Sequence, residues 1–200
     1  MQQASQEMSG FLLAYAFWLS RANIKFIMKE GVEMEKSGFF NSSSGDRIYD
    51  ATDFATYFGS LVSNGIFYRD NTNLQVTTGS GMSVNIAIGS GWINGYHYEN
   101  TEVLSKTLET ANGSFSRIDR IVIRWSLLDR NIVVAVLTGT ATASPSAPAL
   151  TRNSDVYELC LAEILVPQAA TSITIGNITD TRLNSTLCGT VNSLVTAVYE

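Results

Sequence analysis

The longest regular pattern of apolar and polar residues lies between positions 117 and 137. In its first half Ile121, Ile123 and Trp125 alternate with arginines, and this alternation places the apolar side chains on one face of a half-buried β-strand. After a polar break, residues 132–137 form a continuous, mostly β-branched run, which is typical of a strand covered on both faces. The two halves predict a long β-hairpin at the centre of a β-domain.

Shorter segments with strand-like patterns lie on both sides of this hairpin. Turns rich in glycine and asparagine separate them about every 8–12 residues, which is the spacing of an antiparallel β-sandwich or barrel. We therefore expect a mainly β fold, an antiparallel β-sandwich, over residues 71–183. Its further strands are expected at 73–76, 82–88, 91–98, 103–108, 156–166 and 172–175.

The clearest helical pattern follows Asp50, a residue that is favourable at a helix N-cap. Apolar residues then recur at the spacing of one helix face, and Gly65 stands where a glycine commonly ends a helix. We expect this face to pack in the core, where it would plug one end of a sheet, or to meet another subunit. An arm and this amphipathic helix occupy residues 34–70, and the face consists of Phe54, Tyr57, Phe58, Leu61 and Val62.

The two ends of the chain differ in pattern from the β-domain. Residues 1–33 contain a ten-residue apolar run. A membrane span needs about 20 residues, so we expect a helical extension that packs on a partner or a neighbouring subunit. Alternatively, residues 1–33 lie upstream of the authentic start at Met34, since residues 29–31 can be encoded by a ribosome-binding sequence. At the other end, apolar residues at helical spacing predict a short C-terminal helix over residues 184–200.

Charge and cysteine content narrow the classes of function. The 200-residue chain has a formal net charge of -5 and only 16% charged residues, so it lacks the basic surface that binds nucleic acid. Cys160 lies in an apolar, strand-like run and is expected to be a buried free thiol. Because Cys188 is the only other cysteine, neither an oxidising compartment nor a metal site is predicted.

The sequence contains no recognisable catalytic motif. It has one histidine, His97, and neither a Gly-x-Ser-x-Gly nucleophile elbow nor a phosphate-binding loop. Four carboxylates lie beside predicted turns or arginines, where we expect ordinary solvated ion pairs. They are Glu99, Glu102, Asp119 and Asp129. The sequence therefore predicts a protein that is not an enzyme and that has no cofactor and no bound metal.

A cluster of aromatic residues occupies positions 92–98. In one extended strand Trp92, Tyr96 and Tyr98 share a face, while His97 points to the other side. Two interpretations are open. The favoured one is packing within a sheet, with a turn at Asn94-Gly95. The other is a saccharide-binding surface formed by Trp92, Tyr96 and Tyr98, because sugar sites use aromatic planes.

Three parts of the chain together resemble a known protein family. They are SGFFNSSSGDRIYDATDFATYFGSLVSNGIF, then GMSVNIAIGSGWINGYHYENT, then the stretch from RIDRIVIRWSLLDRNIVVAVLTG to ITDTRLNSTLCG. In this order they resemble the N-terminal structural module of baseplate and receptor-binding (tail fibre) proteins from long-tailed phages and prophages of Gram-positive bacteria. The resemblance covers about residues 36–190, nearly the whole chain after Met34.

The resemblance implies a β-sandwich similar to the shoulder domain of lactococcal phage receptor-binding proteins, which often forms trimers and attaches to the tail tip. Relatives continue past the Leu-Cys-Gly segment into a longer region and a variable head. We therefore expect a non-catalytic attachment module in the virion, at the phage tail tip. Its expected partners are further copies of the chain, with a trimer favoured, other tail or baseplate proteins and a host cell-wall saccharide. Neither nucleic acid nor a membrane span is expected.

The oligomer contacts are expected on the two amphipathic segments, because apolar stripes at both ends of a lone β-domain would leave exposed patches. The alternative function is a carbohydrate-binding module without assembly duties, which predicts a monomer with measurable saccharide affinity. The expected contact residues are Phe54, Tyr57, Phe58, Leu61, Leu194 and Val198.

Overall fold

The structure is a computed structural model that describes residues 37–195. The chain divides into two compact units, Met1–Arg47 and Ile48–Glu200. The helical extension and the alternative start expected at residues 1–33 lie outside the described residues, as does Val198. All the elements named below belong to the second unit.

The described part of the second unit is mainly β, as the sequence predicts, with one α-helix and three antiparallel sheets. Helix α1 spans Ala51–Leu61. The strands are β1 (Gly65–Ile66), β2 (Val76–Thr78), β3 (Ser83–Ile86), β4 (Gly89–Ile93), β5 (Tyr96–Asn100), β6 (Leu104–Thr107), β7 (Arg117–Ser126), β8 (Asn131–Leu137), β9 (Val156–Val166) and β10 (Ile178–Asp180). The strand orders of the sheets are β1-β4-β5, β2-β3-β6 and β10-β9-β7-β8.

The hairpin predicted at residues 117–137 is present in the four-stranded sheet. Strand β7 pairs with all seven residues of β8, and on its other side it pairs with β9. A β-bulge between Ile121 and Val122 interrupts the pairing of β7 with β9. Strand β9 spans the residues expected from the sequence and ends at Val166, because the next residue, Pro167, cannot donate a ladder hydrogen bond.

Strand β8 differs from its prediction because it lies at the edge of the sheet. Val134 is buried, whereas the neighbouring Val133 is 43% exposed. A β-branched run favours a strand, but it does not report how many faces are covered, since Val and Ile also suit a half-covered surface. The expectation that β8 is covered on both faces is therefore wrong.

One hydrophobic core contains residues from all three sheets. Ile66 and Ile93 come from the first sheet, Ile86 from the second, and Ile121 and Leu159 from the four-stranded sheet. All five side chains are buried, and burial of each contributes about 1.5–3 kcal/mol to folding. The core therefore depends on contacts between segments that are distant in the sequence.

Residues 91–98, expected as one strand, instead form the end of β4, a turn and the start of β5. Asn94 and Gly95 connect the two strands with φ angles of 52° and 83°. Positive φ at both central residues is typical of the type I′ turn, whose twist matches that of the paired strands. The interpretation with a turn at Asn94-Gly95 is confirmed, and the single strand is wrong.

The C-terminal helix expected over residues 184–200 is not formed in its described part, residues 184–195. This segment contains turns and isolated bridges, and the backbone N–H of Leu194 donates a hydrogen bond to the Leu61 carbonyl at 2.8 Å. Pairing with a neighbouring segment satisfies backbone groups that a helix would satisfy internally. The short strand expected at 172–175 is also not formed, since a 3₁₀ turn begins at Ile175 and the next strand, β10, begins at Ile178.

Helix α1 begins where the sequence predicts, at a reciprocal cap. Asp50 Oδ1 accepts hydrogen bonds from the backbone N–H groups of Thr52 at 2.9 Å and Asp53 at 3.2 Å. Asp53 Oδ2 accepts one in return from the Asp50 N–H at 3.0 Å. The helix ends at Leu61 and not at Gly65. Gly65 lies in β1, where an added Cβ would be 2.4 Å from a facing backbone carbon, so close packing requires this glycine.

Replacing Asp50 by alanine is expected to lower the free energy of unfolding by about 1 kcal/mol, because two amides of the first helical turn lose their acceptor. Chemical denaturation followed by circular dichroism measures the change. Asp50→Asn keeps a side-chain oxygen at the cap and is expected to remain close to the wild type. Equal losses in the two variants would contradict the capping role.

Both cysteines are buried and free, which confirms the expected buried thiol at Cys160. Burial raises the pKa of the Cys160 thiol and raises that of Cys188 to about 12. Both groups are therefore protonated at neutral pH, and neither is activated as a nucleophile.

Candidate functional site

Helix α1 rests on the β4-β5 turn through its smallest residues. Ala55 is the buried residue of the helix, and a Cβ added to Gly95 would lie 1.9 Å from the Ala55 carbonyl oxygen. A Cβ added to Gly59 would lie 3.8 Å from the Gly95 nitrogen. The two backbones are thus in direct contact, and only glycine at position 95 permits that approach.

The aromatic residues of α1 lie outside this contact. Phe54 is 45% exposed, Tyr57 46% and Phe58 41%, while Leu61 is partly buried. The expectation that this face packs in the core is therefore wrong. The helix directs its small side chains toward the domain because they let its backbone approach the turn closely.

Aromatic side chains continue from α1 onto the β1-β4-β5 sheet. We call this group the aromatic surface and define it as Phe58, Phe67, Trp92 and His97. The Trp92 ring lies at its centre, with its centroid 5.8 Å from that of Phe58 and 6.3 Å from those of Phe67 and His97. The ring planes of Phe58 and Trp92 meet at 84°, an edge-to-face geometry that stabilises aromatic pairs.

The hairpin separates the aromatic residues that were expected to share a face. Trp92 pairs with His97, and these two side chains project from the outer face, while Tyr96 and Tyr98 pack against the core. In one strand all even positions share a face, but a two-residue turn places even positions of β4 beside odd positions of β5. Trp92, Tyr96 and Tyr98 therefore do not form one surface.

Burial limits the polar groups of Tyr98 and Trp92 as possible ligand contacts. Burial raises the pKa of the Tyr98 phenol above its ordinary value, so this group stays protonated. Trp92 Nε1 is buried and has no hydrogen-bond partner in the described part of the chain. Trp92 therefore contributes its ring to the aromatic surface and does not present an exposed donor.

A groove with a volume of about 350 Å³ lies beside α1 and the β4-β5 turn. Tyr96 and Trp125 form its aromatic side, with ring centroids 5.9 Å apart and planes tilted by 35°. Asn94 is held by Asn64, whose Oδ1 accepts the Asn94 N–H at 2.7 Å. Rings combined with hydroxyl and amide groups suit a neutral polar ligand. The groove is lined by Thr52, Ala55, Thr56, Gly59, Asn94, Tyr96, Trp125 and Leu127.

The carboxylate of Asp119 is completely buried, whereas a solvated ion pair was expected. Its Oδ1 accepts hydrogen bonds from Arg117 Nε and from the Gly139 N–H, both at 2.9 Å. The other guanidinium nitrogens of Arg117 donate to two backbone carbonyls. Arg117 and Asp119 alternate in step with Ile121, so the pattern that identifies the core face of β7 also predicts their burial. This pair joins β7 to the segments around Thr110 and Gly139 through buried hydrogen bonds.

Within residues 37–195, no three His, Cys, Asp or Glu side chains lie together as the ligands of a metal ion would. Over the same range, no helix combines the length and the apolar character that crossing a membrane would demand. Comparison of the chain with protein family models, with curated proteins and with solved structures finds no match. The function is therefore proposed from the chain's own sequence, with the resemblance that its motifs carry, and from its geometry.

Proposed function

We propose that this chain is a non-catalytic structural protein of a phage tail or baseplate, and that it serves as the attachment module of a receptor-binding assembly at the tail tip. The proposal includes a sandwich arrangement of the sheets and association into a homo-oligomer, with a trimer favoured. The aromatic surface is the observation that carries the proposed contact with another protein. The resemblance of the chain to baseplate proteins supports the same function.

Three of the residues expected to form oligomer contacts, Phe58, Leu61 and Leu194, lie in segments that meet in the structure. Phe58 and Leu61 are one turn apart on α1. The backbone N–H of Leu194, a residue that is 51% exposed, donates a hydrogen bond to the Leu61 carbonyl. The two predicted contact segments therefore meet at Leu61, and their exposed apolar side chains support a shared contact surface with Phe54 and Tyr57. A contiguous apolar region on a protein surface commonly marks contact with another protein.

The groove supports binding and not bond cleavage. Glycoside hydrolysis needs two carboxyl groups about 5–9 Å apart around the scissile bond. The residues that line the groove include no Asp, Glu or His. Asp129, one of the carboxylates considered from the sequence, accepts a hydrogen bond from Ser126 Oγ at 2.7 Å and so stabilises the β7-β8 turn.

The mass of the purified chain tests the assembly proposal. Light scattering is expected to give a multiple of three chains. Phe58→Lys is expected to reduce that mass threefold, because it places a charge where an apolar contact forms. Leu128→Lys is the matched control, since Leu128 is 89% exposed in the β7-β8 turn, and it is expected to keep the wild-type mass.

Circular dichroism of both lysine variants verifies that each is folded. A wild type whose mass is not a multiple of three chains, or a trimer that Phe58→Lys leaves intact, would contradict the proposal.

Antibody labelling of phage particles tests whether the chain lies at the tail tip. Antibodies against the chain are expected to mark the tail tips of phage particles in electron micrographs. Particles without label would count against a place in the virion.

The groove favours a second candidate function, a carbohydrate-binding module for host cell-wall saccharide. Tyr96 and Trp125 supply aromatic rings, and Asn94 supplies an amide. A glycan array screened with the full chain distinguishes this function from assembly. A monomer whose saccharide affinity is lost in Tyr96→Ala would replace the proposed attachment module.

A further inference from the structure

Strand β8 presents an open sheet edge. It pairs with β7 on one side, and in the described part of the chain no backbone hydrogen bond reaches its other side. In an antiparallel strand, alternate residues direct their N–H and C=O groups to opposite sides. The outward groups of β8 therefore need water or a further strand as partner.

This edge lacks the features that commonly protect sheet edges. Proteins usually block an edge with charged side chains, proline, a bulge or a very short strand. Strand β8 has seven residues, Asn-Ile-Val-Val-Ala-Val-Leu, with neither charge nor proline, and its pairing with β7 contains no register shift. The opposite edge of the same sheet, β10, has only three residues. The open and regular edge of this sheet is thus β8.

We propose that β8 pairs antiparallel with β8 of a second copy of this chain, across a two-fold axis at Val134. The contact joins two four-stranded sheets into one continuous sheet. It is separate from the aromatic surface, so it goes beyond the proposed function and does not depend on it.

The side chains of β8 complement one another about this axis. Ile132 and Val136 face the core but remain half-buried, and the two-fold places each opposite the other. On the outer face, the exposed Val133 lies opposite the smaller Ala135. Because β8 carries no charged residue, no like charges oppose one another across the axis. An identical strand therefore satisfies both the backbone groups and the apolar side chains.

Light scattering of Val133→Glu tests the contact. Val133 pairs with Arg124 of β7, so a carboxylate at this position is compatible with the folded monomer. The substitution is expected to halve the mass, whether the wild type is a dimer or a hexamer of paired trimers. Leu128→Glu, in the adjacent turn, is the control and is expected to keep the wild-type mass.

A wild-type monomer, or a mass that Val133→Glu leaves unchanged, would overturn the proposal. The result is distinguishable from the test of the proposed function, because Phe58→Lys changes the mass threefold and acts at a different surface. Circular dichroism of Val133→Glu shows that the halved mass belongs to a folded chain. If Val133→Glu is unfolded, the cross-linking of cysteine variants described next tests the proposed pairing instead.

Cysteine pairing tests the register of the two strands. Directly opposed residues of antiparallel strands have Cα atoms about 4.5–5.5 Å apart, a separation that a disulfide can bridge. A mixture of Val133→Cys and Ala135→Cys chains is expected to form a cross-linked pair under mild oxidation, and each variant alone is expected to form much less. Cys160 and Cys188 are buried and do not compete. The absence of preferential cross-linking in the mixture would overturn the proposed pairing.

Discussion

Replacing Arg182 by alanine is expected to lower the free energy of unfolding by about 1–3 kcal/mol, the usual loss when a buried acceptor is left without its donor. Arg182 is 2% exposed, and its guanidinium donates to the Asp180 carboxylate at 2.7 Å. It also donates to the carbonyls of Asn73 at 2.7 Å and Asn71 at 2.9 Å. The side chain thus joins the β10 region to the segment before β2, and its loss leaves the buried Asn73 carbonyl without its donor.

Chemical denaturation of Arg182→Ala beside Arg69→Ala measures this loss. Arg69 is exposed and its side chain has no hydrogen bond or ion pair in the described part of the chain, so its variant is expected to retain wild-type stability. Arg182→Lys keeps the charge but not the planar fork and is expected to fall between the two. Equal free energies of unfolding for Arg182→Ala and Arg69→Ala would contradict the role of Arg182 in joining the β10 region to the segment before β2.

Acid denaturation provides a second measure of the same contact. Burial raises the pKa of Asp180, but hydrogen bonds from Arg182 and its charge outweigh that effect, so the pKa lies below its ordinary value. A carboxyl whose pKa is lowered by folding stabilises the protein above its unfolded-state pKa, and this stabilisation is lost as the pH falls through the folded-state pKa. In Arg182→Ala the Asp180 carboxylate has lost its partner, so we expect the variant to lose less stability than the wild type as the pH falls through this range.

The second large effect is expected from Gly95→Ala, which should cost about 3 kcal/mol or more through overpacking and backbone strain. The added Cβ would lie 1.9 Å from the Ala55 carbonyl oxygen, so the backbone of α1 has to move away from the turn. The φ of Gly95 is 83°, a conformation that side chains with a Cβ rarely adopt. We expect α1 to detach from the hairpin and the groove beside it to open.

Thermal unfolding and amide hydrogen exchange in α1 test this prediction together. The Gly95→Ala variant is expected to melt at a lower temperature and to exchange faster in α1. Gly113→Ala is the matched control, because nothing lies within 4 Å of the added Cβ and its φ is not in the left-handed region. If the two variants had equal melting temperatures, the close contact between helix and turn would not be essential.

Part of the candidate site was predictable, because its residues carry local signals. Phe58, Leu61 and Leu194 were identified from their helical spacing, and Trp92 from its aromatic neighbourhood. Their proximity was not predictable, because Leu194 meets Leu61 through a backbone hydrogen bond over a long sequence separation, and Phe58 meets Trp92 from a different element. No helical or strand pattern contains that information.

The sequence does not show that Phe67, Trp125 and Asn94 belong to the site. Phe67 and Trp125 contribute to the aromatic surface and to the groove because of how separate elements pack. Asn94 was assigned to a turn, and its place in the groove depends on where α1 rests. The burial of Asp119 was available from its alternation with Ile121, but its position near arginines suggested an exposed ion pair instead.

The sequence by itself determined the features that nearby residues decide. Asp50 begins the helix, Asn94-Gly95 reverses the chain, and the alternation in residues 117–126 forms the central strand. Only the tertiary structure decided which side of α1 meets the domain, that β8 is an edge, and that the chain after Gly189 runs beside β1. Caps, turns and alternation act within a few residues, whereas these three outcomes depend on which distant backbones can approach one another closely.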